Sequence, residues 1–224
     1  MPLAPPPADY DGHPVRHVLR RGSCLWHVHG RVYPASGFKS ALSSRLFGGG
    51  RFDATDEDRY PYWYAALDER TAVAEVLLRD LPYDQRGTRA LTREAVAGRR
   101  ISGLTLTRDL DLVSLIDEVD LAAVAQDQWL VVATGHEYVQ TRAWGHWLRG
   151  AAPWAQGFIW SSRRDRGRSV IVLFGDRCAT MFGTDYERNL LHEVSELAID
   201  LDDKAGADWL NGLLEPYRVA VSPP

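Results

Sequence analysis

Between Tyr60 and Asp80 the chain changes its period within a few residues, and that switch constrains the fold more than any other feature. Tyr60 to Leu67 is rich in aromatic and apolar side chains and reads as an extended strand. Asp68 follows as an N-cap, and Ala72, Val73, Val76 and Leu77 then give a helix to about Asp80 an apolar stripe. Elsewhere strands and helices are mixed without the regular βαβ alternation of a parallel sheet. Ser23 to His29, Ile101 to Thr107, Leu110 to Ile116, Gly157 to Ser161 and Ser169 to Phe174 read as strands. Leu121 to Gln128, Glu137 to Leu148, Tyr186 to Asp200 and Ala207 to Leu214 read as helices, the third from the spacing of Leu190, Leu191, Val194, Leu197 and Ala198. One α+β domain is the reading. Residues 1–14 form a proline-containing disordered lead-in and 15–184 the domain proper. Residues 185–224 form a helical extension whose apolar stripe packs on the domain, on a second copy to give a homodimer, or on a partner protein.

Composition narrows the function classes. The 224 residues carry a formal charge of −4, so no broad basic face is available for sequence-independent nucleic-acid binding, and no direct nucleic-acid binding is expected. No apolar run approaches the length of a membrane span, and the N-terminus lacks the pattern of a secretory signal. Cys24 and Cys178 are far apart and sit beside apolar runs, which reads as two buried small side chains rather than a disulfide. A cytoplasmic protein is the expectation.

Four segments can carry chemistry. Glu75 lies between Ala74 and Val76 in the helix with the apolar stripe. It sits either at the edge of the stripe, facing solvent, or inside it, where an unpaired carboxylate is costly and survives when its charge is used. Gly48, Gly49, Gly50 and Arg51 close a long loop. Glycine lets backbone amides approach a ligand and arginine offers a fork to phosphate oxygens, although the same residues also make a plain flexible turn. His27 and His29 stand two apart on a strand and share a face. No acidic third ligand follows closely, so a hydrogen-bonded histidine fits better than a metal site, and no metal is expected. Ser162, after Gly157-Phe158-Ile159-Trp160-Ser161, lacks the glycine-flanked elbow of an esterase.

Taken in order, these segments resemble the RES-domain family over roughly Leu25 to Phe174. The family's pair of glycines, arginine and aromatic residue stands as Gly49-Gly50-Arg51-Phe52. Its tyrosine strand leading into a helix with Ala-x-x-Glu is matched by Tyr64 and by Thr71-Ala72-Val73-Ala74-Glu75, and its late serine by Ser162. Three positions depart from the pattern: His27 stands where the family has its first arginine, Asp53 where it has asparagine, and Ser161 where it has proline. The resemblance implies an ADP-ribosyltransferase-like fold, with two small mostly antiparallel sheets around an NAD cleft, flanked by helices. It also implies a toxin partnered by an Xre-type antitoxin, with NAD⁺ as substrate. Carried over, it makes Glu75 the catalytic carboxylate, with Arg51, His27, Tyr64 and Ser162 beside it. Gly49, Gly50, Arg51, Phe52, Tyr64 and Ser162 would contact the dinucleotide, Arg51 and the glycine amides taking the pyrophosphate. Cleavage of the nicotinamide–ribose bond by water or phosphate is the expected reaction. Transfer of ADP-ribose to a protein, or an inactive binding module, are the alternatives.

Overall fold

The computed structural model describes residues 6, 12–44, 46–183 and 185–221; most of the expected lead-in lies outside them. The strands are β1 (Arg16–Leu19), β2 (Cys24–Gly30), β3 (Tyr62–Ala66), β4 (Arg89–Leu91), β5 (Arg99–Leu106), β6 (Leu110–Leu115), β7 (Gly157–Ser161), β8 (Ser169–Phe174), β9 (Leu191–Asp200) and β10 (Val219–Val221). The helices are α1 (Glu69–Leu77), α2 (Arg93–Val96), α3 (Glu118–Ala122), α4 (Trp129–Val132), α5 (Tyr138–Ala151), α6 (Gly175–Phe182), α7 (Tyr186–Leu190) and α8 (Lys204–Leu214).

Eight strands form one sheet in the order β1-β6-β7-β8-β3-β2-β5-β9, and β4 pairs with β10 in a separate ribbon. Within the large sheet only β6 and β7 run parallel. The expectation of two small sheets is corrected accordingly, and the junction shows how the single sheet is built. β2 and β3 meet at one residue pair, Trp26 with Ala66, whereas β2 pairs with β5 over its whole length. A five-stranded half and a three-stranded half are therefore joined by a single bridge, and a split opens between β2 and β3 on one side of it.

Alternation along the central strands makes two cores. Val28, Tyr62, Ala66, Phe158, Trp160, Val172 and Phe174 face α1, α5 and α8. Leu25, Trp63, Ala65, Ile159, Ile171 and Leu173 face the other way, toward Cys178 and Leu190. Cys178 is buried and Cys24 half-buried, both as free thiols. Helix α1 starts as the sequence requires: the Asp68 carboxylate accepts from the amides of Arg70 and Thr71. Its buried residues are Thr71, Ala72, Val73, Ala74 and Leu77, while Val76 turns outward.

The helical reading of Tyr186 to Asp200 is corrected as well. Only Tyr186–Leu190 is helical, and Leu191–Asp200 is an edge strand paired with β5. The reason is a bulge. Ser102 pairs with Ala198 but Gly103 pairs with Val194, so residues 195–197 are passed over and the alternation is reset. That reset spaces the apolar residues as a helix would. Gly103 makes it feasible, because a Cβ there would sit 2.8 Å from Leu197 side-chain atoms. Of the segment after residue 185, Leu191–Asp200 is thus an edge strand of the large sheet, while α7 and α8 are its helical parts.

Candidate functional site

The carboxylate of Glu75 lies at the half-buried edge of α1, beside the turn that leaves β7. Ser162, 1% exposed, donates its hydroxyl proton to Glu75 Oε1 at 2.5 Å. The same hydroxyl oxygen accepts from the amides of Arg164 (3.1 Å) and Asp165 (2.9 Å), and the Arg164 amide also reaches Glu75 Oε1 at 3.3 Å. Ser162 is therefore saturated as a hydrogen-bonding group and holds Glu75 rather than acting as a nucleophile. Glu75 Oε2 has no hydrogen bond among the described residues. It is the free acceptor of the group.

Arg51 is buried, at 6% exposure, and its guanidinium donates to the carbonyls of Leu130 (3.0 Å) and Ala133 (3.2 Å) around the end of α4. It also lies 5.2 Å above the Tyr138 ring, whose surroundings include Arg79 at 5.7 Å. Burial lowers the pKa of Arg51, and the negative charge of Glu75 is among the groups that offset this. Arg51 and Glu75 are therefore electrostatic neighbours. Two of the five guanidinium donors are nonetheless engaged by main chain.

The glycine run is likewise engaged from within. Asp53, 3% exposed, accepts from the Gly50 amide (2.7 Å), the Ser43 hydroxyl (2.6 Å) and the Tyr64 hydroxyl (3.0 Å). Tyr64 in turn accepts from the Phe52 amide at 2.9 Å. Arg142, 1% exposed on α5, donates to the carbonyls of Gly48, Gly50 and Ser44. Gly48 and Gly49 have φ of +65° and +76°, which glycine adopts at little cost. Phe52 is fully buried, edge-on to Phe158 and Trp160. So the expected phosphate cradle is a pinned turn: the Gly50 amide is taken by Asp53, and Phe52 belongs to the core. Burial and then the Asp53 carboxylate hold the Tyr64 phenol well above its ordinary pKa, so it remains a neutral donor.

His27 is the residue that the structure does not bring to Glu75. It shares the face of Leu25, Trp63 and Ala65, stacks on His29 at 5.3 Å and lies 4.9 Å from the Trp63 ring. Its Nδ1 donates to the Tyr64 carbonyl at 2.6 Å, across the split between β2 and β3. None of these contacts reaches Arg51, Glu75 or Ser162. Strand alternation explains the separation, since Trp26 and Val28 point to the Glu75 side and His27 between them does not. Burial lowers the His27 pKa to about 3, with His29 adding to the effect, so the ring is neutral at pH 7. His29 Nε2 pairs with Ser102 Oγ at 3.0 Å, and Ser102 donates to Glu193 at 2.9 Å. Among the described residues no group of three or more His, Cys, Asp or Glu is arranged to hold a metal. Nor is any described helix long and apolar enough to cross a membrane.

Sequence reasoning missed Asp53 and Arg142 as organisers of the loop. A signal for Arg142 existed, since it falls on the apolar face of α5 with Tyr138, Thr141, Gly145 and Leu148, where a charge needs partners. A cavity of about 130 Å³ reaches Ser162 and is lined by Ile116, Val131, Val132 and Arg166 among others. The larger concavity, about 740 Å³, is a shallow surface between Arg89 and Arg218 that includes neither Glu75 nor Ser162.

Comparison with known proteins gives the frame. No curated protein matches the chain. Among solved structures, the M. tuberculosis MbcT–MbcA toxin–antitoxin complex contains a similar chain, with a TM-score of 0.55 and 16% identity over 90% of this chain and 91% of that one. At that identity the likeness speaks for the fold. The family model of the RES domain matches residues 24–192, which takes in β2 through the first residues of β9 and every segment of the Glu75 group. With most of its length matched, the chain belongs to the RES-domain family.

Proposed function

We propose that this protein is a toxin that cleaves NAD⁺ at the nicotinamide–ribose bond, with Glu75 as the catalytic carboxylate. One observation carries the reading: a half-buried carboxylate is gripped through Oε1 by Ser162 and the Arg164 amide while Oε2 stays free. The chemistry asks for that. Nicotinamide leaves neutral with the bonding electron pair, so no acid is needed to expel it, and the ribose becomes oxocarbenium-like. Water or phosphate then adds an oxygen to the anomeric carbon, and water loses a proton. Glu75 Oε2 accepts from a ribose hydroxyl and puts negative charge beside the developing cation. Ser162 fixes the carboxylate orientation, which keeps the reorganisation cost low. Tyr64 is the aromatic group assigned to wall the nicotinamide ring. His27 contributes indirectly, by holding the Tyr64 main chain across the split. An ADP-ribosyltransferase-like ancestry agrees with the sheet divided at β2 and β3, and a protein antitoxin is the expected inhibitor, as in the complex that the similar chain forms.

Purified protein with labelled NAD⁺ tests this. Nicotinamide release is expected, and Glu75→Ala lowers kcat by about 10³-fold or more with NAD⁺ binding retained. Label on free ADP-ribose indicates hydrolysis, a phosphate-dependent product phosphorolysis, and label on protein transfer. Wild-type turnover by Glu75→Ala would remove the proposal.

A further inference from the structure

The turn from Ser162 to Arg168 carries more than the serine. Its sequence, Arg163-Arg164-Asp165-Arg166, puts three guanidinium groups within a few residues of the carboxylate's anchor. Fixing of the turn is unusually complete. The Ser162 hydroxyl collects two amides, the Ser162 amide donates to the Arg168 carbonyl at 2.7 Å, and the Thr71 hydroxyl donates to Asp165 Oδ2 at 2.7 Å. Asp165 is thereby committed to α1 and is not the counterion of the neighbouring arginines. Arg163 makes only a long contact, 3.4 Å, to the Ala133 carbonyl already shared with Arg51. Neither Arg163 nor Arg164 forms a salt bridge among the described residues.

We propose that Arg163 and Arg164 form the anion subsite that takes the diphosphate of the dinucleotide substrate. Two facts of arrangement support it. The Gly50 amide and two Arg51 donors are engaged by internal bonds, so the loop before β3 has less to offer a phosphate. Meanwhile Arg163 and Arg164 are half-buried neighbours on a turn pinned next to Glu75, and Arg163 shares the Ala133 carbonyl with Arg51. Like charges kept together at partial burial repel. A bound dianion relieves that repulsion, and two forked donors match its oxygens. Burial, followed by the charge of Arg163, lowers the pKa of Arg164, consistent with this crowding.

This inference rests on the NAD⁺ reading, and the test separates the two. The variants are Arg163→Gln combined with Arg164→Gln, and Arg168→Gln as a control that removes one exposed charge from the far end of the same turn. Turnover of NAD⁺ and of nicotinamide riboside, which has no phosphate, is measured for each, together with calorimetric binding of ADP-ribose and a thermal melt. The double variant is expected to raise KM for NAD⁺ by about 10- to 100-fold with kcat changed little, to leave nicotinamide riboside turnover unaltered, and to weaken ADP-ribose binding equally. Arg168→Gln leaves all three near wild type. An unchanged KM for NAD⁺ in a double variant that melts normally overturns the subsite while the cleavage reading stands. If the wild type splits neither substrate, the cleavage reading fails, and ADP-ribose binding alone decides the subsite: loss in the double variant supports it, and no binding or equal binding rejects it.

Discussion

Ser162→Ala is the substitution whose consequences the geometry fixes best. The hydroxyl makes three bonds from a site 1% exposed: one donated to Glu75 at 2.5 Å and two accepted from the amides of Arg164 and Asp165. A hydrogen bond to a charged group contributes about 1.5–3 kcal/mol, and a buried amide left without an acceptor costs about 1–3 kcal/mol. Arg164 keeps Glu75 as an acceptor at 3.3 Å, and the half-buried Asp165 amide has partial access to water. The net loss is therefore about 2–4 kcal/mol, rather than the sum of all three bonds. For a chain of this size that corresponds to a fall in Tm of roughly 4–15 °C. Freed from its anchor, Glu75 samples orientations that no longer serve the ribose, and kcat falls about 10- to 100-fold with KM little changed. Glu75→Gln differs, because its amide oxygen still accepts from Ser162: its Tm stays within a few degrees while kcat collapses. A double-mutant cycle combines them, and the charge-dependent part of the Ser162 contribution appears as a coupling of about 1 kcal/mol or more in the melts. Calorimetric melting and steady-state nicotinamide release are the assays. A Ser162→Ala protein with unchanged Tm and full kcat refutes the argument that this hydroxyl organises the carboxylate.

Two further substitutions discriminate structure from substrate contact. Arg51→Met keeps the bulk but strips the donors from the Leu130 and Ala133 carbonyls, so we expect a loss of about 2–4 kcal/mol in urea unfolding; a raised KM with an unchanged urea midpoint would return Arg51 to a substrate-facing role. His27→Arg, which restores the family's residue, is expected to lower stability by roughly 1–3 kcal/mol without raising activity, because it sets a charge against Trp63 and breaks the bond to the Tyr64 carbonyl. His27 also predicts an acid limb. Its folded pKa, about 3, lies below that of the unfolded chain, so at pH above about 6.5 both states are neutral and there is no proton linkage. As pH falls from about 6.5 toward 3 the unfolded state takes up a proton that the folded state refuses, and stability declines. His27→Asn flattens that part of the stability–pH curve measured by urea titration; an unchanged slope counts against the buried neutral ring.

Local signals made some of this legible in advance. β7 and β8 have the bounds the sequence suggests, Gly157–Ser161 and Ser169–Phe174, because apolar runs of strand length flank a charged turn. Helix α1 is equally explicit, with Asp68 as its cap, and the approach of Ser162 to Glu75 follows the order of segments recognised as a family pattern. What escaped depends on long-range pairing. Leu191–Asp200 looks helical because a bulge against Gly103 resets its alternation, and no local pattern announces a partner strand about 90 residues earlier. β1, β4 and β10 span three or four residues each, too few for a period to register. For His27 the difficulty was a face rather than an element: the strand was legible, but which side of the sheet carries the site is set by where α1 packs.

A similar limit applies to the loop before β3, which the sequence presents as a phosphate cradle. A glycine run beside an arginine presents amides and a guanidinium, and from sequence nothing shows which partners compete for them. Here the competitors are inside the fold. Asp53 takes the Gly50 amide, two carbonyls around the end of α4 take Arg51, and Arg142 crosses from α5 to hold the loop's own carbonyls. Three buried arginines, Arg51, Arg142 and Arg149, work in this manner, each forking onto two or more oxygens. A lysine, with one nitrogen, could not span such pairs of acceptors. Arginine in this chain often fixes loops, so the guanidinium groups to test for anion binding are those without such a task, among which the pair on the turn beyond Ser162 stands nearest Glu75.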